Sequence, residues 1–272
     1  MEAISKLFSD IINGISNENL KYKYEFDLDQ VKSEVEYLTS NPEELKELIL
    51  SKFKIQNFKD EDILSFFGCL GNHSYEIETL NRFGAFSMKN IFIVIGECRT
   101  EKILESLVQE KNRSIWGVKY LFPELLSIYK LKIDFVLKWF VDIHHKVNNY
   151  TMSSTFYNAI SNYALAFPEE GEKIVKHYIQ RPDDNSLKQI AALALGAIRV
   201  SFSRLGKHPI KEDLDHKLKN NFRSEIRELY LISLGTSYQY EEIELSEILR
   251  IIRVYENQTV EEQAAKCFLI YR

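Results

Sequence analysis

The chain contains few of the residues that interrupt helices. Its 272 residues include only 10 glycines and 5 prolines, which are the strongest local breakers of regular structure. The long segments between these turn signals carry apolar residues at helical spacing and not in the alternation typical of strands. The scarcity of breakers and the helical periodicity together predict an all-α fold.

Cysteine is also scarce. Cys69, Cys98 and Cys267 lie far apart, and each sits within an apolar run. This placement favours buried thiols in a reducing compartment over a disulfide framework or a zinc site. The opening segment MEAISKLFSDIINGI has no basic region followed by a small-residue cleavage site, so it does not resemble a secretory signal. We therefore expect a cytoplasmic protein.

The sequence lacks the common catalytic motifs HExxH, GxSxG, CxxC and the glycine-rich phosphate loop. His144 and His145 are adjacent, so on a helix they point about 100° apart and cannot both face one metal ion. The apolar stretch LKQIAALALGAIRV is too short to span a membrane. We therefore predict a protein that is not an enzyme, binds no metal or cofactor and does not enter a membrane.

Charge is unevenly distributed along the chain. Lys and Arg number 35 against 40 Asp and Glu, and the net charge of -5 gives no overall attraction to nucleic acid or anionic membrane. Residues 25–65 are predominantly acidic, whereas residues 199–227 are predominantly basic. The basic segment is either a solvated helix face or a patch for an anionic partner such as nucleic acid. The predicted patch consists of Arg199, Arg204, Lys207, Lys211, Arg223 and Arg227.

One helical pattern recurs in the C-terminal half. In LKQIAALALGAI, an apolar residue and a base precede paired small residues, which are followed by Leu195 and Gly196. The stretch IRELYLISLGTS repeats this frame and places Leu234 and Gly235 at the same two positions. A third copy, VEEQAAKCFLIY, keeps the paired small residues. Fainter echoes continue towards the N-terminus at intervals of roughly 25 to 40 residues, the spacing of a two-helix repeat.

The stretch DDNSLKQIAALALGAI resembles the second helix of a HEAT repeat, with the acid Asp183 before the apolar start and the base Lys188 directly after it. The resemblance is strongest over residues 168–240 and continues through 241–272. It implies a right-handed α-α superhelix of about six or seven helix pairs. It also implies a single solenoid domain over 1–272, with residues 1–30 as an N-terminal cap and 168–272 as the most regular repeats.

In such a stack the helix over 187–200 is interior, because it touches its own partner helix and the repeats on both sides. A buried helix of a compact all-α domain is the alternative interpretation. Asn41 is expected to cap the helix in NPEELKELIL, with Pro42 in its first turn. The expected helix pairs are 42–51 with 60–70, 75–83 with 88–98, 101–110 with 114–128, 131–147 with 153–166, 169–180 with 186–201, 210–219 with 223–237, and 243–255 with 259–271.

The resemblance implies a non-catalytic scaffold that binds a protein or peptide on its concave face. Second helices line that face, so the third and seventh positions of the frame should point into the groove. Leu193 and Ile232 are then exposed aliphatic residues that a bound helix or peptide covers, unless they are ordinary packing between helices. The predicted stripe consists of Tyr157, Ser161, Gln189, Leu193, Glu228, Ile232, Glu262 and Lys266.

The alternative from another functional class is a nucleic-acid-binding solenoid that uses residues 199–227, in one version a divergent DNA-repair enzyme. The last residues, Tyr271 and Arg272, stop within a stretch that is predicted to be helical. We therefore expect either a fragment of a longer array or a last repeat that pairs with another protein.

Overall fold

The computed structural model describes residues 1–16, 27–72, 79–106, 117–118, 120–146, 150–181, 185–205, 217–218, 226 and 229–234. Within these ranges the chain is helical and contains no strand, so the all-α prediction is confirmed. The α-helices are α1 (Glu2–Ser16), α2 (Leu28–Ser40), α3 (Pro42–Glu47), α4 (Asp60–Asn72), α5 (Thr79–Ile95), α6 (Glu97–Ser106), α7 (Phe122–Ile128), α8 (Ile133–Lys146), α9 (Tyr150–Ala166), α10 (Pro168–Gln180) and α11 (Asn185–Leu205).

The chain divides into two compact units, Met1–Tyr129 and Lys130–Arg272. An elongated array of stacked helices divides in the same way, because each repeat contacts only its neighbours. The single solenoid domain therefore stays a prediction. None of the helices within the described ranges is long and apolar enough to cross a membrane.

Helix starts in the first unit follow local side-chain chemistry. An Asp27 carboxylate oxygen accepts hydrogen bonds from the backbone N–H groups of Asp29 and Gln30, both at 3.1 Å, and so caps α2. Pro42 occupies the first turn of α3, as expected. Asn41 does not cap this helix through its side chain. Its amide Nδ2 instead donates to the Tyr37 carbonyl oxygen at 2.7 Å, so the side chain completes the end of α2.

Aromatic side chains fill the core of the first unit. The ring of Phe8 in α1 lies 5.0 Å from Phe66 in α4 and 6.0 Å from Phe83 in α5, measured between centroids. All three side chains are fully buried. The Phe8 and Phe66 rings meet edge to face, which is a favourable arrangement of aromatic quadrupoles. These rings tie the three helices together.

Helix α4 approaches residue 117 at two glycines. A Cβ at Gly71 would collide with the carbonyl oxygen of Gly117, and a Cβ at Gly117 would collide with the carbonyl oxygen of Gly68. The backbones therefore touch directly at a point where no side chain fits. Gly71 and Gly117, which lack a Cβ, make this approach possible.

One expected helix pair in this unit is wrong. The sequence pattern predicts separate helices over 75–83 and 88–98, whereas α5 runs without interruption from Thr79 to Ile95. Gly84 does not break the helix, because it lies at a close contact in which an added Cβ would stand 2.8 Å from a Leu121 methyl group. The helix ends instead at Gly96, whose φ of +80° is a conformation that glycine adopts easily.

In the second unit, α11 packs against both α9 and α10. Its residues from Leu187 to Val200 are buried except for Lys188, Gln189 and Arg199. The expectation that this helix is interior is confirmed, although a compact domain and a stack both predict such burial. The close approach in this unit occurs at Gly171 of α10. An added Cβ there would stand 2.8 Å from the Ala164 methyl group and 3.1 Å from Ile198.

The glycine contact in the first unit predicts a stability effect. Gly71→Ala should lower the free energy of unfolding by about 2 to 3 kcal/mol, because the new methyl group meets backbone that cannot turn away. Gly96→Ala is the matched control, since nothing lies within 4 Å of the added Cβ and the cost is backbone strain of about 1 kcal/mol. Urea denaturation measures both. Equal losses in the two variants would contradict the proposed backbone contact.

Candidate functional site

The predicted concave stripe is only partly exposed. Gln189 is exposed, whereas Ser161 is buried and Leu193 and Ile232 are only 3% and 9% exposed. The prediction that these two aliphatic residues are exposed is therefore wrong; for Leu193 the reason is that α9 and α10 pack against α11 and leave it little free surface. The alternative given with that prediction, ordinary packing between helices, fits Leu193 and Ile232. The side chain of Tyr157 and the residues Glu228, Glu262 and Lys266 lie outside the part of the chain that the structure describes.

One residue of the predicted basic patch, Arg199, makes contacts within the protein. The Arg199 guanidinium donates a hydrogen bond of 2.5 Å to the Ser233 hydroxyl and lies over the Tyr230 ring, 4.8 Å from its centroid. A cation over an aromatic face is an attractive contact. Arg199 therefore joins α11 to the following helical residues. Arg204 lies in α11, but the structure does not describe its side chain. Four further residues of the patch lie outside the described ranges: Lys207, Lys211, Arg223 and Arg227.

A buried carboxylate and a tyrosine hydroxyl connect three segments of the second unit. Glu170 in the first turn of α10 is almost fully buried, and its oxygens lie 2.8 Å from the ammonium of Lys130 and 2.9 Å from that of Lys173. Close by, the Tyr163 hydroxyl of α9 donates to the carbonyl oxygen of Leu131 at 2.9 Å. The start of α8 is thereby fixed to both α9 and α10.

The electrostatics of this cluster keep the carboxylate ionised. Burial alone would raise the pKa of Glu170, but the hydrogen bonds and charges of Lys130 and Lys173 outweigh it and lower the pKa below the ordinary value. Burial, with the nearby Glu170 charge, raises the pKa of Tyr163. Glu170 is therefore unsuited to act as a general acid near neutral pH. Its arrangement is that of a structural ion pair.

An arginine has a similar structural position in the first unit. Nε of Arg99 donates to the Asp60 carboxylate at 2.7 Å, while Nη1 and Nη2 donate to the carbonyl oxygens of Gln56 and Phe58 at 2.9 and 2.5 Å. One guanidinium thus satisfies two backbone carbonyls and one carboxylate. This contact fixes the short 3-10 turn Ile55–Asn57 and the start of α4 against α6.

A pocket of about 530 Å³ opens beside the start of α1. Helix α3 and the π-helical turn Leu48–Lys52 that continues it form the opposite wall. Such one-turn π segments widen a helix locally and often occur near functional sites. The residues lining the pocket are Met1, Glu2, Ser5, Glu44, Glu47, Leu48 and Lys52.

Polar contacts hold the walls of this pocket in place. The Lys52 ammonium donates to the Ser5 hydroxyl at 2.8 Å, which bridges the two walls. The Tyr37 hydroxyl donates to the Glu44 carboxylate at 2.7 Å, and this hydrogen bond raises the pKa of Tyr37 above its ordinary value. The sequence analysis did not identify this pocket. The acidic excess of residues 25–65 was the available signal, but it does not show which acids meet in space.

Within the described ranges, no group of three or more His, Cys, Asp and Glu residues is arranged to hold a metal ion. Comparison with protein-family models, with curated proteins and with solved structures finds no match to this chain. The HEAT-like pattern therefore rests on the residues themselves.

The Glu170 cluster predicts a pH-dependent contribution to stability. The folded pKa is lowered, so the contribution is present above the ordinary carboxyl value of 4.5 and is lost as the pH falls through the lower folded value. Glu170→Gln should therefore cost about 1 kcal/mol at pH 7. The difference in the free energy of unfolding between wild type and variant should become smaller as the pH is lowered below about 4.5.

Chemical denaturation at a series of pH values measures this difference. Glu36→Gln is the control, because Glu36 is an exposed residue of α2 in the first unit. A difference that stays constant down to about pH 3 would show that the Glu170 charge does not contribute.

Burial of the stripe predicts opposite results for two neighbouring positions in α11. Leu193→Ser removes a buried aliphatic group and places a hydroxyl in the core, so it should cost about 2 to 5 kcal/mol. Gln189→Ser, on the exposed side, should change stability by no more than about 0.5 kcal/mol. Thermal unfolding followed by circular dichroism separates the two. A neutral Leu193→Ser would restore this residue to the predicted binding surface.

Proposed function

We propose that the chain is a non-catalytic protein-binding scaffold built from stacked helix pairs of the HEAT type. The observation that carries this proposal is the packing of α11 against both α9 and α10. In a stacked array each second helix contacts its partner helix and the preceding second helix, and α10 and α9 correspond to those two neighbours. The proposal includes the right-handed superhelix of about six or seven pairs and its concave binding face.

Internal polar contacts support a rigid scaffold. Arg99 in the first unit and Glu170 and Arg199 in the second each connect separate segments through hydrogen bonds or ion pairs. A surface that is already ordered before binding loses less conformational entropy when a partner docks. We assign these charged residues to the architecture and the partner contacts to exposed positions such as Gln189.

The free cysteines support an intracellular, cytoplasmic location for this scaffold. Cys69 is buried as expected, whereas Cys98 is exposed, so the expectation of a buried thiol is wrong there. Both are unbridged in the structure, and Cys267 lies outside the described residues. Thiols in this state are typical of reducing compartments.

The alternative of a nucleic-acid-binding solenoid receives no specific support from the described residues. Arg199 belongs to its predicted patch, but the guanidinium already contacts Ser233 and Tyr230. These contacts leave fewer of its five N–H donors for a phosphate. We therefore keep protein binding as the proposed function and use nucleic acid as the contrasting outcome of its test.

Affinity capture with the full chain tests the proposal. We expect a protein partner that remains bound after nuclease treatment and that is lost with Gln189→Arg, because a long charged side chain would disturb the exposed side of α11. Lys102→Ala changes an exposed residue of α6 and should retain the partner. Capture of nucleic acid alone, or a partner that binds the Gln189→Arg variant equally well, would contradict the proposed concave site.

A further inference from the structure

The pocket beside the start of α1 has an unbalanced charge. Its lining includes Glu2, Glu44 and Glu47 against two ammonium groups, that of Lys52 and the N-terminal ammonium of Met1, and the latter is already paired with the Glu34 carboxylate at 2.8 Å. The Lys52 ammonium donates to Ser5 and also lies over the Phe53 ring, 5.5 Å from its centroid. A cationic group entering the pocket therefore meets a net negative lining, whereas a phosphate meets repulsion.

Two of the carboxylates have a spacing that suits a guanidinium group. Glu44 and Glu47 stand three residues apart, so they share one face of α3. A guanidinium presents several N–H donors in a flat fork and can bond two carboxylates at once, which the compact ammonium of lysine cannot match geometrically. Glu44 already accepts one hydrogen bond from Tyr37, but a carboxylate offers about four acceptor positions.

Two partly exposed apolar side chains lie beside the charged lining of the pocket. Met1, which lines it, is 51% exposed, and Tyr37, whose hydroxyl bonds to Glu44, is 48% exposed. Leu48, which also lines the pocket, is buried. A cationic side chain whose flanking residues are apolar would cover Met1 and Tyr37 while its charge meets the carboxylates.

We propose that this pocket binds an arginine side chain carried on a short apolar segment of a partner protein. The pocket volume of about 530 Å³ lies in the range of sites that enclose a small group. The guanidinium lies between Glu44 and Glu47, and the residues flanking the arginine pack on Met1 and Tyr37. The site belongs to the unit Met1–Tyr129 and does not depend on the proposed concave stripe, so either proposal can fail without the other.

The test titrates the full chain, tagged at its C-terminus, with the capped tripeptide acetyl-Leu-Arg-Leu-amide. A second peptide carries citrulline in place of arginine. Citrulline has nearly the same shape as arginine but no charge. Amide chemical shifts of Ser5, Glu47 and Leu48 report on the pocket. We expect these amides to shift with the arginine peptide and about three- to fivefold weaker binding for the citrulline peptide, as the loss of an exposed charge contact implies.

Variants separate this pocket from general attraction by acidic residues. Glu47→Gln should weaken the arginine peptide about three- to fivefold. Glu61→Gln is the matched control, because Glu61 is an exposed acid in the first turn of α4, and it should leave binding unchanged. Glu2→Gln provides a second pocket variant in a different helix.

Three results would overturn the proposal. One is the absence of shifts at the pocket amides at millimolar concentrations of the arginine peptide. Another is equal binding of the arginine and citrulline peptides. The third is an equal loss of binding in Glu61→Gln and Glu47→Gln, which would indicate attraction to the whole acidic surface.

Discussion

Helices can come closest where no Cβ intervenes, and in both units a glycine without a side chain permits such a contact. In the first unit, Gly71 of α4 meets Gly117 directly. In the second, Gly171 of α10 lets that helix come close to Ala164 and Ile198. Helices at such short distances exclude water from their contact, so the side chains beside it must be apolar or internally paired. Apolar side chains accordingly dominate both units, with the aromatic cluster around Phe8 in the first and the buried residues of α11 in the second.

Close packing leaves ionisable groups near helix ends with few ways to remain solvated. Glu170 is almost fully buried, and two lysines that are themselves about half exposed compensate its charge. The lysine ends stay in water while the carboxylate is withdrawn from it, which avoids the larger cost of burying both partners. Arg99 achieves a similar result by spreading its hydrogen bonds over one carboxylate and two backbone carbonyls. Such groups join helices that apolar packing alone would not orient.

The sequence predicts much of the helix placement because helical periodicity is local. The helices expected over 169–180 and 186–201 match α10 and the buried part of α11. The pattern fails where a residue has a tertiary role. Gly84 lies between the two helices expected over 75–83 and 88–98, but α5 continues through it, and Gly84 packs against Leu121. The repeat pattern predicts Leu193 on the exposed stripe, but the packing of α9 and α10 against α11 buries it. Neither the pairing of Lys130 with Glu170 nor the pocket beside α1 leaves a local signal.

The charge of a segment indicates a partner only after internal contacts have been subtracted. Residues 199–227 are basic in composition, yet Arg199 is engaged with Ser233 and Tyr230. In the acidic segment 25–65, Glu34 accepts hydrogen bonds from the backbone N–H groups at the start of α1, and Asp60 pairs with Arg99.

After this subtraction, Glu44 and Glu47 still face the pocket. Carboxylates on an accessible wall attract a cation at little desolvation cost, whereas a guanidinium already bonded to a hydroxyl and placed over a ring has fewer donors left for phosphate. For the described residues, the accessible charge therefore favours a cationic protein segment over nucleic acid.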